Sequence, residues 1–439
     1  MDDGRLMAGD GPYDVTRGDV DKVARETADR LAGAAGEGPA APFLGGGDLG
    51  IALALLYAGE TFDDDGHRGA ARALLRRAVD ATARTPLTSP GLYDGTAGFA
   101  WVLAEFARSE PRYLPALDRL LARLEEQVSA LPPPDGGGAA SRDYDAISGA
   151  AGALAAVLKA GEVAGGRDTL AHTLVGRLLD YTATGADAVP HWYSPPALHP
   201  AAAPWYRDRF PHGMYNLGFA HGLPGVLAAL CAAASRGIGG SAVVARIRAL
   251  SAWLAEHRID DADGPSWPGA LQARPGTRLP DSGAPMPPAR TAWCYGAPGV
   301  AAALLSAAAV TGDTAPRDLA VAALERVDRT PEAEQQAFAP TLCHGRAGLL
   351  ACYRRAHTAT GLPTLRRMAD SALAEVYAQA SREHPYVFAD QPRPGSLAHT
   401  PGLLEGAAGV LLALLGEPGT PAARWDDVLF LTPNEMAAP

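Results

Sequence analysis

Two kinds of segment alternate along this chain. The first kind is amphipathic. Residues 16–34 place Val20, Val23, Ala24, Thr27 and Leu31 at helical spacing, and residues 112–131 do the same with Leu114, Leu117, Leu120, Leu121, Leu124, Val128 and Leu131. Similar stretches lie near 66–84, 167–183, 241–257, 316–328 and 364–381. The second kind is short and almost uncharged, as in IALALLYA after Gly50, ALAAVLKA after Gly152, VAAALLSA after Gly299 and VLLALL after Gly409. A helix that is apolar all round is a buried one. The pattern predicts seven amphipathic helices, each followed by a buried helix. Strand-like alternation of any length is missing, so the expected class is all-α.

Every buried segment opens on Gly-x-x-Gly: Gly47/Gly50, Gly95/Gly98, Gly149/Gly152, Gly222/Gly225, Gly296/Gly299, Gly345/Gly348 and Gly406/Gly409. Recurrence at a period of about 60 residues points to one repeat-built body rather than a string of unlike domains. The simplest arrangement is a closed ring, an α/α toroid with seven inner helices wrapped by seven outer ones, spanning 1–439 as a single domain. Small residues allow tight turns and close helix approach, and packing alone accounts for the glycines.

Two connections are longer than the rest. Residues 184–220 and 258–292 are rich in Pro, Gly and aromatic side chains, and they lead into the fourth and fifth repeats. Long loops without secondary structure in compact bodies are often binding or lid elements.

Composition adds limits rather than a function. The chain has 439 residues, 47% hydrophobic and 20% charged, as in a globular protein. A formal charge of −11 argues against nucleic acid and anionic membrane surfaces as partners. The first residues, MDDGRLMAGDGPYD, carry no apolar signal segment, and no uncharged stretch is long enough to span a bilayer. The expected location is cytoplasmic, with reduced thiols.

Repeat register then turns the glycines into coordinates. The residue before each first glycine is Gly46, Asp94, Ser148, His221, Tyr295, His344 and Glu405, and Cys294 and Cys343 stand one step earlier in the fifth and sixth repeats. Equivalent repeats would bring two cysteines and two histidines to one rim, although His221 and His344 lie 123 positions apart. Two thiolates and an imidazole (Cys294, Cys343 and His344) suit one Zn²⁺ and leave a fourth position open, as in a catalytic site. The competing reading, two buried cysteines and a core histidine, fits Cys231 and Cys352, which sit inside apolar segments. Two thiolates already neutralise the metal charge, so the site suits thiol activation better than hydrolysis. His221, at the same rim, is placed to move a proton near neutral pH. Asp145 and Arg290 lie just before their repeats, where they can orient the histidine and stabilise an enolate oxygen; Tyr295 can donate a hydrogen bond. Taken singly, Asp145 and Arg290 read as surface or ion-pair residues.

With these residues in place the chain resembles the lanthionine synthetase C-like family. The resemblance rests on Trp293-Cys294-Tyr295-Gly296-Ala297-Pro298-Gly299, Cys343-His344-Gly345 and His221-Gly222-Leu223-Pro224-Gly225, with Asn216-Leu217-Gly218 and Asp145-Ala146-Ile147-Ser148-Gly149 beside them, and it extends over all seven repeats. It implies an α/α toroid, one zinc ion on Cys294, Cys343 and His344, an acid/base role for His221, and partner roles for Asp145 and Arg290. The implied activity is a lanthipeptide cyclase: a peptide cysteine adds to dehydroalanine or dehydrobutyrine and closes a lanthionine or methyllanthionine ring. The implied partners are a dehydrated precursor peptide and a separate dehydratase. No dehydratase or kinase domain is seen before the toroid, which points to a standalone cyclase. Two other readings keep the same residues: addition of a small thiol such as glutathione to dehydrated proteins, and a non-catalytic peptide-binding toroid. Prenyltransferase-like and glycosidase-like toroids fit less well, because neither needs both cysteines at one register.

Overall fold

A computed structural model describes residues 15–431, apart from 134, 135, 166, 167, 202, 282, 284 and 285. The acidic stretch at residues 1–14 lies outside the described residues. Fourteen main helices follow in the expected alternation. They are α1 (Arg17–Gly33), α2 (Asp48–Phe62), α3 (Asp65–Arg84), α4 (Thr96–Ser109), α5 (Leu114–Ala130), α6 (Ala150–Ala164) and α7 (Asp168–Tyr181). Then come α8 (Leu223–Ala234), α9 (Gly240–Glu256), α10 (Ala297–Thr311), α11 (Thr314–Arg329), α12 (Arg346–Thr360), α13 (Pro363–Ala378) and α14 (Ala407–Leu415). The odd-numbered helices bury one stripe, as α5 does with Leu117, Leu121, Leu124 and Val128. The even-numbered ones are buried nearly all round; α14 is buried from Ala407 to Leu415. Fully burying one Leu or Val contributes about 1.5–3 kcal/mol, so these apolar helices form the cores.

The chain divides into two compact units. Among the described residues, one holds 15–87 and 331–431; in it α12 packs on α14 and α14 on α2, while α3 and α13 cover α2 and α12. The other holds residues 88–330; its apolar helices α4, α6, α8 and α10 pack side by side in chain order.

Local geometry explains Gly-x-x-Gly. A helix start leaves several N–H groups without partners. Here main-chain carbonyls seven residues upstream take them: Asp48 N–H donates to Ala41 O, Thr96 to Ser89, Gly152 to Asp145, Arg346 to Ala339 and Ala407 to Thr400. The chain therefore folds back hard on the helix start. A Cβ on Gly222 would lie 2.3 Å from Asn216 O, and one on Gly225 2.3 Å from Phe219 O, so neither position accepts a side chain. The second glycine also receives the neighbouring repeat. A Cβ on Gly152 would lie 2.8 Å from Leu92 Cβ, and one on Gly299 2.8 Å from Phe219 Cβ. Packing is what these glycines do.

The two long connections are more ordered than their composition predicts. They contain four strands of three residues: β1 (Met214–Asn216), β2 (Ile259–Asp261), β3 (Gly264–Ser266) and β4 (Ala270–Gln272). β1 pairs antiparallel with β4, which ties the two connections together, and β2 pairs with β3. Strands this short carry no readable alternation; aromatic packing holds them instead. Trp192 lies edge-on to Tyr215 and Trp253, and the Trp267 Nε1–H donates to Leu254 O at 2.8 Å.

Candidate functional site

Asp145 starts the site. It is 1% exposed, just ahead of α6. Its Oδ1 accepts the N–H groups of Ile147 (3.0 Å), Ser148 (2.7 Å) and Gly149 (3.0 Å). A carboxylate bound by three amides in this way cannot rotate, and the helix start favours its charge. The other oxygen, Oδ2, lies 2.7 Å from Nδ1 of His221. That contact fixes the imidazole with Nδ1–H toward Asp145 and Nε2 outward. The His221 side chain is 43% exposed, so Nε2 is accessible. Burial pulls the imidazole pKa down, but the Asp145 hydrogen bond and the negative charges of Asp145, Cys294 and Asp94 outweigh it, and the net shift is upward.

Main-chain bonds line up the neighbouring repeat starts. Ala146 N–H donates to Ala220 O at 3.2 Å, and Ala220 N–H donates to Cys294 O at 3.1 Å. Cys294 is buried. It follows Trp293, whose fully buried ring packs against Phe219 and Tyr93. Just beyond, Gly296 has φ +104°, a conformation open to glycine at low cost. Tyr295 points its hydroxyl at Asn216, whose Nδ2 lies 3.1 Å from Oη. Burial and neighbouring Tyr206 hold the Tyr295 phenol well above its usual pKa, so it remains a donor. Arg290 is exposed, and among the described residues its guanidinium has no ion-pair partner.

Cys294, Cys343 and His344, the residues expected as metal ligands, are a group that could hold a metal ion. One suitable donor atom from each of Cys294, Cys343 and His344 lies within 4.8 Å of the other two. Two thiolates and an imidazole are a donor set that suits zinc. Cys343 N–H donates to Leu404 O at 2.8 Å, which anchors its backbone beside the start of α14. Cys231 and Cys352 are buried inside α8 and α12, the place expected of inert core thiols; burial pushes the Cys231 thiol far up. Candidate ligand groups of three or more appear nowhere else among the described residues.

Sequence reasoning did not single out Asn216 for a role of its own. The available signal was an Asn two places before Gly218, in a segment rich in aromatic residues. Asp94, the residue before the second repeat's first glycine, accepts the Ser148 hydroxyl at 2.8 Å and the Ser89 hydroxyl at 3.1 Å.

Comparison with known proteins follows this geometry. The family described as lanthionine synthetase C-like protein matches residues 39–430. A solved structure named "Nisin cyclase" aligns with a TM-score of 0.76 at 20% identity, covering 94% of this chain and 97% of that chain. It bears out the all-α fold. An inactive α-1,6-mannanase variant from Salegentibacter sp. HEL1_6, bound to α-1,6-mannotetrose, has a TM-score of 0.42 at 10% identity, covering 90% of this chain and 98% of that one. That likeness is too low to bear on the site. No curated protein matches the sequence.

Proposed function

Because the chain belongs to the lanthionine synthetase C-like family, we propose that it is a zinc-dependent peptide cyclase. The observation that carries the proposal is the Cys294, Cys343 and His344 donor group in a member of this family. The substrate is a peptide holding a cysteine and a dehydroalanine or dehydrobutyrine, and a dehydratase supplies the dehydrated residue. A zinc ion on the three ligands supplies the Lewis acidity that keeps a substrate thiol deprotonated at neutral pH.

The protein's own residues account for the remaining steps. The His221 Nε2 accepts the thiol proton, with Asp145 holding the ring and stabilising its charge. The sulfur then bonds to the substrate β-carbon, and the alkene electrons move toward the adjacent carbonyl. Tyr295 donates to that oxygen and Arg290 balances its charge. His221 returns the proton to the α-carbon. One C–S bond forms, one C=C bond becomes single, and no net proton or electron is exchanged.

The test uses a dehydrated peptide with one cysteine, incubated with zinc-loaded protein with and without glutathione, then treated with a thiol-blocking reagent and weighed. Ring closure leaves the mass unchanged and the peptide unblocked. Glutathione addition raises the mass and identifies a small-thiol transferase. A peptide that is fully blocked in both arms identifies a binding protein and overturns the proposal.

A further inference from the structure

We propose that Asn216 is a positioning residue that turns the Tyr295 hydroxyl proton toward the substrate. Gly218 N–H donates to Asn216 Oδ1 at 2.9 Å, and only the oxygen of the amide can accept it. The amide is thereby fixed with Nδ2 facing Tyr295 Oη at 3.1 Å. Nδ2 is a donor only, so Oη accepts at that contact and its own proton points away from Asn216, toward the side where Tyr206 and an incoming substrate oxygen are the acceptors. The arrangement is rigid. Asn216 is 2% exposed and ends β1, opposite Ala270 of β4, and Leu217 N–H donates to Gly269 O at 3.0 Å. Gly218 completes it: a Cβ there would lie 2.4 Å from the Tyr295 ring, so the ring rests flat on the main chain. The two long connections, tied by β1 and β4, thus fix which way one hydroxyl points.

The inference rests on the cyclase reading, in which negative charge develops on the substrate carbonyl as sulfur adds. A well-aimed donor at such an oxygen changes rates by about 10²–10³-fold. Replacing Asn216 by aspartate keeps an oxygen for Gly218 N–H but offers Tyr295 an acceptor, so the phenol proton turns away from the substrate. The test is a double-mutant cycle on ring closure. The expected result for Asn216→Asp is a kcat lowered about 30-fold or more, with KM and zinc content unchanged. In a Tyr295→Phe background the same substitution leaves kcat within about twofold. A second readout needs no turnover: with 13Cζ-labelled tyrosine, the NMR resonance lost in Tyr295→Phe shifts in Asn216→Asp. If Asn216→Asp does not fold, Asn216→Ala is carried through the same cycle. An equal loss in both backgrounds, an unmoved resonance or a loss confined to KM overturns the role of Asn216. Failure of the unaltered protein to close rings overturns the cyclase reading instead.

Discussion

Asp48 and Asp145 are both buried carboxylates at the start of an apolar helix, one in each unit, and they differ in what their second partner is. Asp48 Oδ2 accepts Ala41 N–H at 3.1 Å and pairs with Arg77 Nε at 3.2 Å. Burial pushes its pKa up, with Ala41 and Arg77 opposing. Every partner there is structural, and the group is closed. Asp145 is held by three amides on one oxygen and leaves the other for a half-buried histidine. Both acids accept main-chain N–H groups near a helix start. An arginine makes one a clasp; a histidine makes the other an acid–base pair.

The largest effect should come from the metal ligands. Cys294→Ala or Cys343→Ala should lose bound zinc and ring closure together, read by metal analysis and peptide mass; a variant closing rings at full rate without metal would sink the zinc assignment. Next comes the contrast between the two acids. Asp145→Asn should slow ring closure about 100-fold with zinc retained. Asp48→Asn should instead cost about 1–3 kcal/mol of stability and leave the rate per folded molecule unchanged, because it leaves Arg77 without its charge partner. Matching behaviour of the two variants in denaturation and kinetics would erase the distinction.

The glycine frame should show no such contrast. In Gly152→Ala the new Cβ would lie 2.5 Å from Ala146 O, and in Gly409→Ala 2.0 Å from Leu403 O. Each should cost about 1–3 kcal/mol by overpacking, and thermal melts that separate one unit's glycine from the other's would count against a shared frame. The smallest effect concerns pH. The His221 pKa is raised on folding, so its contact with Asp145 adds stability that is fully present below about pH 6.5 and fades as pH rises through the folded value. The stability gap between the protein and His221→Gln should shrink from about pH 6 to pH 8; a gap that widens over that range contradicts the assignment. Exposure of the imidazole keeps this term small.

The helix order was legible because periodicity reports burial, and burial is what the fourteen helices are built on. The pairing of His221 with Asp145 was legible through register, since the repeats fix where each rim residue falls. The partners of Asn216 were not, because its contacts depend on strands too short to alternate and on a close approach of Gly218 to Tyr295. The order within 184–220 and 258–292 was missed for the same reason: composition reported loops, whereas the aromatic side chains bury one another.

The main-chain bonding at five of the seven repeat starts has one more consequence. Carbonyls and amides, with glycines to admit them, do most of the holding, and a side chain displayed just before the glycine only adds to it, as Ser148 does by donating to Asp94. A repeat start built this way offers a socket whose occupant can be exchanged with little rebuilding of its seat. Chemistry in such a protein can be re-keyed one socket at a time.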